Sequence, residues 1–243
     1  MIKQKLTGPA GLSLDLSLEK KELANLRQLI HDQWLERIKT FYPEFVNRFE
    51  ELGMERYHEA SNLLDHGSLW PKEARILPQS AVLKLRKMRF IDQLEDYFGP
   101  FEISDEDNVG REEIYWRLVR PNEKNDVGPL HADAWFWDLG HGTVPNNKVR
   151  VKVWIGIYVE PGLSGFIYVP ESHLKDWPYR SVLKDGFNKP LIDVSEGSLN
   201  PVFFKGEPGD VIIFHDKLLH GGAIGKGENT RVSLEFTMFV KPW

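Results

Sequence analysis

The segment Arg231-Val-Ser-Leu-Glu-Phe-Thr-Met-Phe-Val240 alternates apolar and polar side chains with a period of two. This alternation predicts a β-strand whose two faces have different environments. The apolar face carries Val232, Leu234, Phe236 and Met238, and the polar face carries Arg231, Ser233, Glu235 and Thr237. The apolar face needs a cover, so the strand must lie beneath another layer of the fold.

Further strands are predicted upstream of this segment, separated by clusters of Gly, Pro, Asn and Asp. They span residues 114–120, 149–159, 166–169, 201–204 and 211–215. No connection between them reads as a helix of crossover length, which argues against a parallel sheet. The pattern favours an antiparallel sandwich or jelly roll, and we predict a mainly β fold built on a double-stranded β-helix (a cupin-like jelly roll).

The first hundred residues are predicted to be helical. Apolar residues recur at spacings of three and four at Leu23, Leu26, Ile30, Trp34 and Ile38. This stripe predicts a helix that Ser17 caps and that runs to residue 39. Helices are also expected over 44–65 and 80–98, the second ended by Gly99-Pro100.

We expect these helices to form a scaffold over residues 1–100 that covers the jelly roll of residues 101–243, within one domain spanning 1–243.

Composition limits the chemistry. The 243 residues include 31 Lys and Arg, 36 Asp and Glu, a net charge of −5 and no cysteine. Without cysteine, disulfides, iron–sulfur clusters, thiolate zinc and a cysteine nucleophile are excluded, so a metal needs nitrogen and oxygen ligands. The mild negative charge and the lack of a long apolar run favour neither nucleic acid nor membrane as a partner. We expect a cytoplasmic protein acting on a small molecule, and its oligomeric state is left open.

Two distant segments suggest a metal site. His131 and Asp133 are two residues apart, and on an extended strand they would point the same way. A remote strand carrying His220 could complete a two-histidine, one-carboxylate site, an arrangement that suits non-haem Fe(II) and leaves three positions open. Arg231 opens the next strand and could grip a dicarboxylate in a bidentate fork, with Ser233 adding a hydroxyl donor on the same face.

The sequence resembles the phytanoyl-CoA dioxygenase (PhyH)-like family of Fe(II)/2-oxoglutarate-dependent oxygenases over residues 114–240. The resemblance rests on His131-x-Asp133, Val169-Pro-Glu-Ser-His173, Gly209-Asp210 ahead of His220, and Arg231. The family's usual Pro-Gly-Ser-His is Pro-Glu-Ser-His here, a departure that lies in a loop and bears on the substrate.

The resemblance implies that Fe(II), 2-oxoglutarate and O2 are used to hydroxylate an unactivated C–H bond of a small organic metabolite, releasing succinate and CO2. His131, Asp133 and His220 would hold the metal, and Arg231 with Ser233 the 2-oxoglutarate. A basic residue ahead of the His-x-Asp pair would assist, and both Arg117 and Arg120 are candidates. The carboxylate of Asp133 favours oxidation over halogenation, since related halogenases have a small residue there.

Candidate substrate contacts follow the metal pair. Trp135 and Trp137 could pack at the mouth of the barrel, and we expect at least one of them to touch substrate. Lys152 shares one face of a predicted strand with Lys148 and Arg150, where a solvated face is the default. An anionic substrate held by Lys152 is the alternative. Residues 138–148 are a candidate lid.

Two other functions fit the same pattern. One is a non-oxidative cupin-like metalloenzyme, an isomerase or hydrolase, and the other is a jelly-roll binding module that has lost catalysis. A dicarboxylate-binding Arg231 argues against the first. His173 and His215 are rival ligand candidates, but a structural role suits His173 better.

Overall fold

The computed structural model describes residues 2–184 and 186–243. The α-helices of this part of the chain are α1 (Ile2–Thr7), α2 (Lys20–Phe41), α3 (Val46–Leu52), α4 (His66–Leu69), α5 (Gln79–Leu85), α6 (Arg89–Phe98) and α7 (Ala134–Asp138). The strands are β1 (Leu12–Ser17), β2 (Glu102–Ile103), β3 (Tyr115–Val119), β4 (Val149–Tyr158), β5 (Phe166–Tyr168), β6 (Tyr179–Lys184), β7 (Phe187–Ile192), β8 (Val202–Phe203), β9 (Asp210–His215), β10 (His220–Gly222) and β11 (Arg231–Val240).

The strands form two facing antiparallel sheets. The larger has the order β1-β9-β4-β11-β2, with β3 also pairing with β11, and the smaller has the order β10-β5-β8. Trp154 and Phe214 of the larger sheet pack with Phe166 of the smaller one in a single buried cluster. The predicted jelly roll is confirmed, and the hairpin β6–β7 stands apart from both sheets.

Strand β11 is buried along its whole length. Its apolar face belongs to the main core cluster together with Leu26, Ile30 and Trp34 of α2 and Phe90 of α6. The helical cover predicted for this face is therefore present. The polar face of β11 points to the opposite side, toward the interior between the sheets.

The predicted N-cap of the long helix was wrong. Ser17 ends strand β1, where it pairs with Asp210 of β9. Glu19 caps α2 instead, in a reciprocal capping box with Glu22. The backbone pairing of β1, which was not predicted, keeps Ser17 out of the cap.

The other two predicted helices are broken. The 44–65 segment contains only α3, which ends at Gly53 with a φ of 67°, followed by 3₁₀ turns. The 80–98 segment splits into α5 and α6, because Glu22 of α2 accepts a hydrogen bond of 2.9 Å from the backbone N–H of Phe90 and so caps a new helix. Gly99 ends α6 as predicted, with a φ of 76°.

Strand bounds agree with the predictions to within one residue at each end, and those of β11 are identical. Five strands were not predicted: β1, β2, β6, β7 and β10. No helix in the described part of the chain has the length and apolar character needed to cross a membrane.

Candidate metal centre and co-substrate pocket

His131 and His220 are brought together by backbone pairing. The N–H of His131 donates to the carbonyl of His220 at 3.0 Å, and the N–H of His220 donates back at 2.9 Å. This bridge extends the smaller sheet by one residue beside β10. Two residues separated by 89 positions in the sequence thus become neighbours.

Asp133 lies close to both histidines, but it is not on an extended strand as predicted. It is the N-cap residue of α7, with helical φ and ψ of −62° and −31°. The extended strand expected to carry both His131 and Asp133 is therefore interrupted, because the aromatic run that follows forms a helix. Even so, the two side chains converge, with Asp133 Oδ1 3.8 Å from His131 Nε2.

The three side chains form a compact group. One ligand atom from each of His131, Asp133 and His220 lies within 4.8 Å of the others. Asp133 Oδ2 is 3.5 Å from His220 Nε2. Within residues 2–184 and 186–243 this is the one such group of metal-binding side chains. His173 and His215 are not part of it, and their rings lie 5.3 Å apart elsewhere.

Backbone carbonyls orient both imidazoles. Nδ1 of His131 lies 2.9 Å from the Pro129 oxygen, and Nδ1 of His220 lies 3.0 Å from the Leu218 oxygen. Since a carbonyl oxygen only accepts, each Nδ1 must carry the proton. The Nε2 lone pairs then face Asp133, as in protein metal sites where the second ring nitrogen fixes the tautomer.

The charge states also suit a cation. Burial lowers the pKa of His220 to about 4, so this imidazole is neutral at neutral pH. Burial raises the pKa of Asp133, but the positive charge of the neighbouring Lys152 ammonium opposes this effect, and the pKa stays well below its usual range. Asp133 Oδ2 is buried and has no hydrogen-bond partner among the described residues. The buried carboxylate of Asp133, which faces the Nε2 atoms of two imidazoles, fits a metal ion as a further partner.

Arg231 is a buried polar residue on the interior face of β11. Its side chain is 1% exposed, and its Nη1 donates to Ser233 Oγ at 2.9 Å. Its Nε and Nη2 are buried without a hydrogen-bond partner in the part of the chain that the structure describes. Burial lowers the pKa of Arg231 to about 10, so the guanidinium stays charged at neutral pH. Two buried, unsatisfied donors on one guanidinium fit a carboxylate.

The two candidate assisting arginines differ in their surroundings. Arg120 is engaged by Asp126, with its Nη2 2.8 Å from Oδ1 and its Nε 2.9 Å from Oδ2. Arg117 lies directly opposite Ser233 on the neighbouring strand. Its Nε donates to Glu235 at 2.8 Å. The structure thus brings Arg117 to the polar face of β11, while Arg120 is held outside it.

Lys152 lies inside the barrel, so the solvated face expected for its side of β4 was wrong. Its side chain is 2% exposed. Its Nζ donates to Thr237 Oγ1 at 2.9 Å and lies 3.4 Å from Asp133 Oδ2. Its neighbour on this face, Arg150, is also paired, with Nε 2.7 Å from Asp216 Oδ2.

The two tryptophans belong to different surroundings because they lie on a helix. Trp135 stacks on Tyr179 of the β6–β7 hairpin, with ring centroids 4.6 Å apart. Trp137 packs edge-on against Phe239 at 5.5 Å. The loop over 138–148 is tied to the same hairpin, since His141 Nε2 lies 2.8 Å from the Asn188 oxygen.

Three residues near the site were missed by sequence reasoning. Glu235 and Thr237 share the polar face of β11 with Arg231, and that alternation could have placed them in the pocket. Gly222 approaches Arg231 so closely that a Cβ there would lie 2.7 Å from Nη2. No sequence signal distinguishes this glycine from its neighbours.

The sequence matches the family of Phytanoyl-CoA dioxygenase (PhyH) over residues 24–233. Because the match covers most of the chain, the protein belongs to this family. The match extends into the helical layer, beyond the region of resemblance noted from the motifs. No curated protein matches the sequence.

Solved structures share the fold at low sequence identity. One is a non-heme monooxygenase, ThoJ in its apo form, with a TM-score of 0.61 and 12% sequence identity. The match covers 98% of this chain and 76% of the ThoJ chain. EctD from S. alaskensis, solved with 2-oxoglutarate and 5-hydroxyectoine, has a TM-score of 0.57 and 14% identity. The match covers 98% of this chain and 75% of the EctD chain. AviO1 from Streptomyces viridochromogenes Tue57 has a TM-score of 0.53 and 15% identity, covering 99% and 95%.

The family and the three-residue group define the class of this protein as an Fe(II)- and 2-oxoglutarate-dependent oxygenase. Fe(II), 2-oxoglutarate and O2, the cofactor set expected from the sequence, are supported by the family together with His131, Asp133 and His220.

Proposed function

We propose that this protein hydroxylates an unactivated C–H bond of a small organic metabolite, with conversion of 2-oxoglutarate and O2 to succinate and CO2. The observation that supports this most strongly is the pairing of two sites in one barrel. A group of two imidazoles and a carboxylate includes His220 of β10, and Gly222 of the same strand lies against a buried arginine. Two donors of that arginine have no partner among the described residues. A metal alone would need only the first of these sites.

In this proposal His131, Asp133 and His220 hold Fe(II), which when bound supplies the oxygen activation that protein side chains lack. Arg231 grips the far carboxylate of 2-oxoglutarate, and Ser233 orients the guanidinium through its 2.9 Å contact. Arg117 adds positive charge to the same pocket and is itself held by Glu235. Arg120 acts indirectly by ordering its own loop through Asp126.

The barrel also keeps water from one side of the centre. Phe214 and Phe166 lie against the His220 ring, with centroids 4.6 Å and 5.3 Å away. Apolar rings in this position exclude water and strengthen the electrostatic interactions of the ligands. The opposite side, where α7 and the β6–β7 hairpin meet, is where we place the substrate, with Trp135 and Trp137 as candidate contacts.

We further infer one domain for residues 1–243. Side chains of α2, α6, β4 and β11 share one core cluster, so the helical layer and the jelly roll have a common interior. This supports a helical scaffold that folds together with the catalytic barrel.

The experiment measures metal and co-substrate binding separately from turnover. Asp133→Ala and His220→Ala should lose Mn²⁺ binding in equilibrium dialysis and lose O2-dependent succinate formation. Arg231→Ala should keep Mn²⁺ binding but require much more 2-oxoglutarate. The matched controls are Asp176→Ala, whose side chain is 99% exposed, and Arg89→Ala, whose side chain is 63% exposed.

Wild-type metal binding by Asp133→Ala would contradict the ligand assignment. Turnover of a substrate under strict anaerobiosis would instead support a non-oxidative metalloenzyme. Absence of both succinate and 2-oxoglutarate binding in the wild type would support a binding module.

A further inference from the structure

Lys152 makes an unusual contact for a residue beside a metal centre. It lies on β4, directly opposite Thr237 of β11 and Phe214 of β9. Its ammonium is 3.4 Å from Asp133 Oδ2 and 2.9 Å from Thr237 Oγ1. A buried lysine is rare unless it is paired, and Asp133 supplies the pairing charge.

The two oxygens of Asp133 have different neighbours. Oδ1 lies 3.8 Å from His131 Nε2. Oδ2 lies 3.5 Å from His220 Nε2 and also faces the Lys152 ammonium. Both oxygens are close enough to an imidazole to reach a shared ion, so nothing in the three ligands alone limits Asp133 to one ligand atom.

A second contact anchors the Lys152 ammonium near Asp133 Oδ2. The Thr237 hydroxyl accepts from Nζ and holds it on the floor of the barrel, formed by β4 and β11. The positive charge therefore stays on the Oδ2 side of the carboxylate.

We propose that Lys152 is a positioning residue of the metal centre, which holds Asp133 Oδ2 and leaves Oδ1 as the single oxygen ligand. In the metal-free protein the ammonium neutralises the buried carboxylate. With metal bound, it prevents the second oxygen from taking a coordination position that 2-oxoglutarate and O2 need. This inference rests on the proposed function, because it requires Asp133 to be a ligand.

Replacing Lys152 with the nearly isosteric, uncharged Met should change two affinities in opposite directions. Mn²⁺ should bind about tenfold more tightly, because a competing positive charge near the ion is removed and a second carboxylate oxygen becomes available. 2-Oxoglutarate should bind about tenfold more weakly to the Mn²⁺-loaded variant, since a position it would use is occupied and a favourable charge is lost. General damage to the site would weaken both.

Co²⁺ absorption separates positioning from a purely electrostatic effect. A carboxylate that changes from one to two ligand atoms alters the coordination geometry of Co²⁺ and hence its visible d–d spectrum. We expect a changed spectrum for Lys152→Met and a wild-type spectrum for Lys152→Arg, which keeps the charge. Lys148→Met is the matched control, because Lys148 pairs with Glu102 at 3.7 Å, outside the group.

Two results would overturn the inference. One is a Lys152→Met protein, folded by its melting temperature, in which Mn²⁺ and 2-oxoglutarate affinities fall together or stay unchanged. The other is opposite affinity changes with an unchanged Co²⁺ spectrum. That result would mean that Lys152 affects binding only through its charge and does not position the Asp133 carboxylate. Failure of the wild type to bind Mn²⁺ at all would instead refute the ligand assignment under the proposed function.

Discussion

Gly222 and Arg231 are in such close contact that no side chain fits between them. A Cβ built on Gly222 lies 2.7 Å from Arg231 Nη2, the donor that is buried without a partner in the described structure. The glycine therefore makes room for the guanidinium. Strand β10 contributes His220 to the metal group and this glycine to the arginine pocket two residues later.

Gly222→Ala should weaken 2-oxoglutarate binding by about tenfold or more, because the methyl group displaces a charged donor that makes a strong hydrogen bond. Mn²⁺ binding should not change. Gly221→Ala is the matched control, since its Cβ would meet its nearest neighbour at an ordinary 3.6 Å. Calorimetric titration with each ligand checks both statements, and equal affinities for 2-oxoglutarate in the two variants would contradict the first.

Arg231→Lys should lose most of the 2-oxoglutarate affinity even though the charge is kept. An ammonium cannot make the planar two-donor contact, and one lost charged hydrogen bond costs about 1.5–3 kcal/mol, or roughly 10- to 150-fold in affinity. Ser233→Ala should have a smaller effect in the same direction, since it removes only the contact that orients Arg231. Direct binding measurements would contradict this argument if Arg231→Lys bound like the wild type.

His66 gives the metal-free protein a pH-dependent stability. Burial lowers its pKa in the folded protein to about 4, although Asp126 nearby favours the charged form. The unfolded chain takes up this proton near pH 6.5, so the folded state loses stability as the pH falls from about 6.5 toward 4. His66 is partly exposed, and we expect its contribution to be about 1–2 kcal/mol.

The measurement is the free energy of urea unfolding of the wild type and His66→Gln from pH 7 to 4.5. The wild type should lose more stability over this range than the variant, while His220 contributes equally to both. Parallel curves would show that His66 does not carry this effect.

The β6–β7 hairpin should loosen when its aromatic contact is removed. Tyr179 stacks on Trp135, and its hydroxyl donates to Asp138 Oδ2 at 3.2 Å. Tyr179→Ala should therefore speed amide hydrogen exchange in β6 and β7, while Tyr179→Phe, which keeps the stack, should have a smaller effect. Affinity for 2-oxoglutarate should stay at the wild-type value. Unchanged exchange in Tyr179→Ala would mean that the hairpin is held by other contacts.

Strands β4 and β11 of the larger sheet could be predicted because apolar and polar residues alternate regularly along them. In β11 the period of two predicted the first and last residues of the strand and which side chains share each face. The alternation is regular because one face packs on helices and the other lines the interior. The short strands β2 and β10 carry no such signal. β10 is only His220–Gly222, and its pairing with β5 depends on the closed barrel rather than on local composition.

The grouping of His131, Asp133 and His220 was predicted, but the local structure of Asp133 was not. The aromatic run after it has a strand-like composition, yet it forms α7 and packs against the hairpin and Phe239. Tertiary contacts outweighed local preference there. The burial of Lys152 could not be predicted either. Its alternation with valines shows which residues share its face of β4, but it does not show whether that face points to the interior or to solvent.

Because β11 is buried on both sides, one backbone serves two layers with different demands. On one face, packing against the helices requires side chains of a particular shape. On the other face, the polar interior requires particular charges and hydrogen-bonding groups. A change in α2 that shifts the strand by a fraction of an ångström would move Arg231 as well, without touching any ligand. Engineering this enzyme toward a new substrate should therefore leave the helical layer untouched, or redesign it together with the strand beneath it.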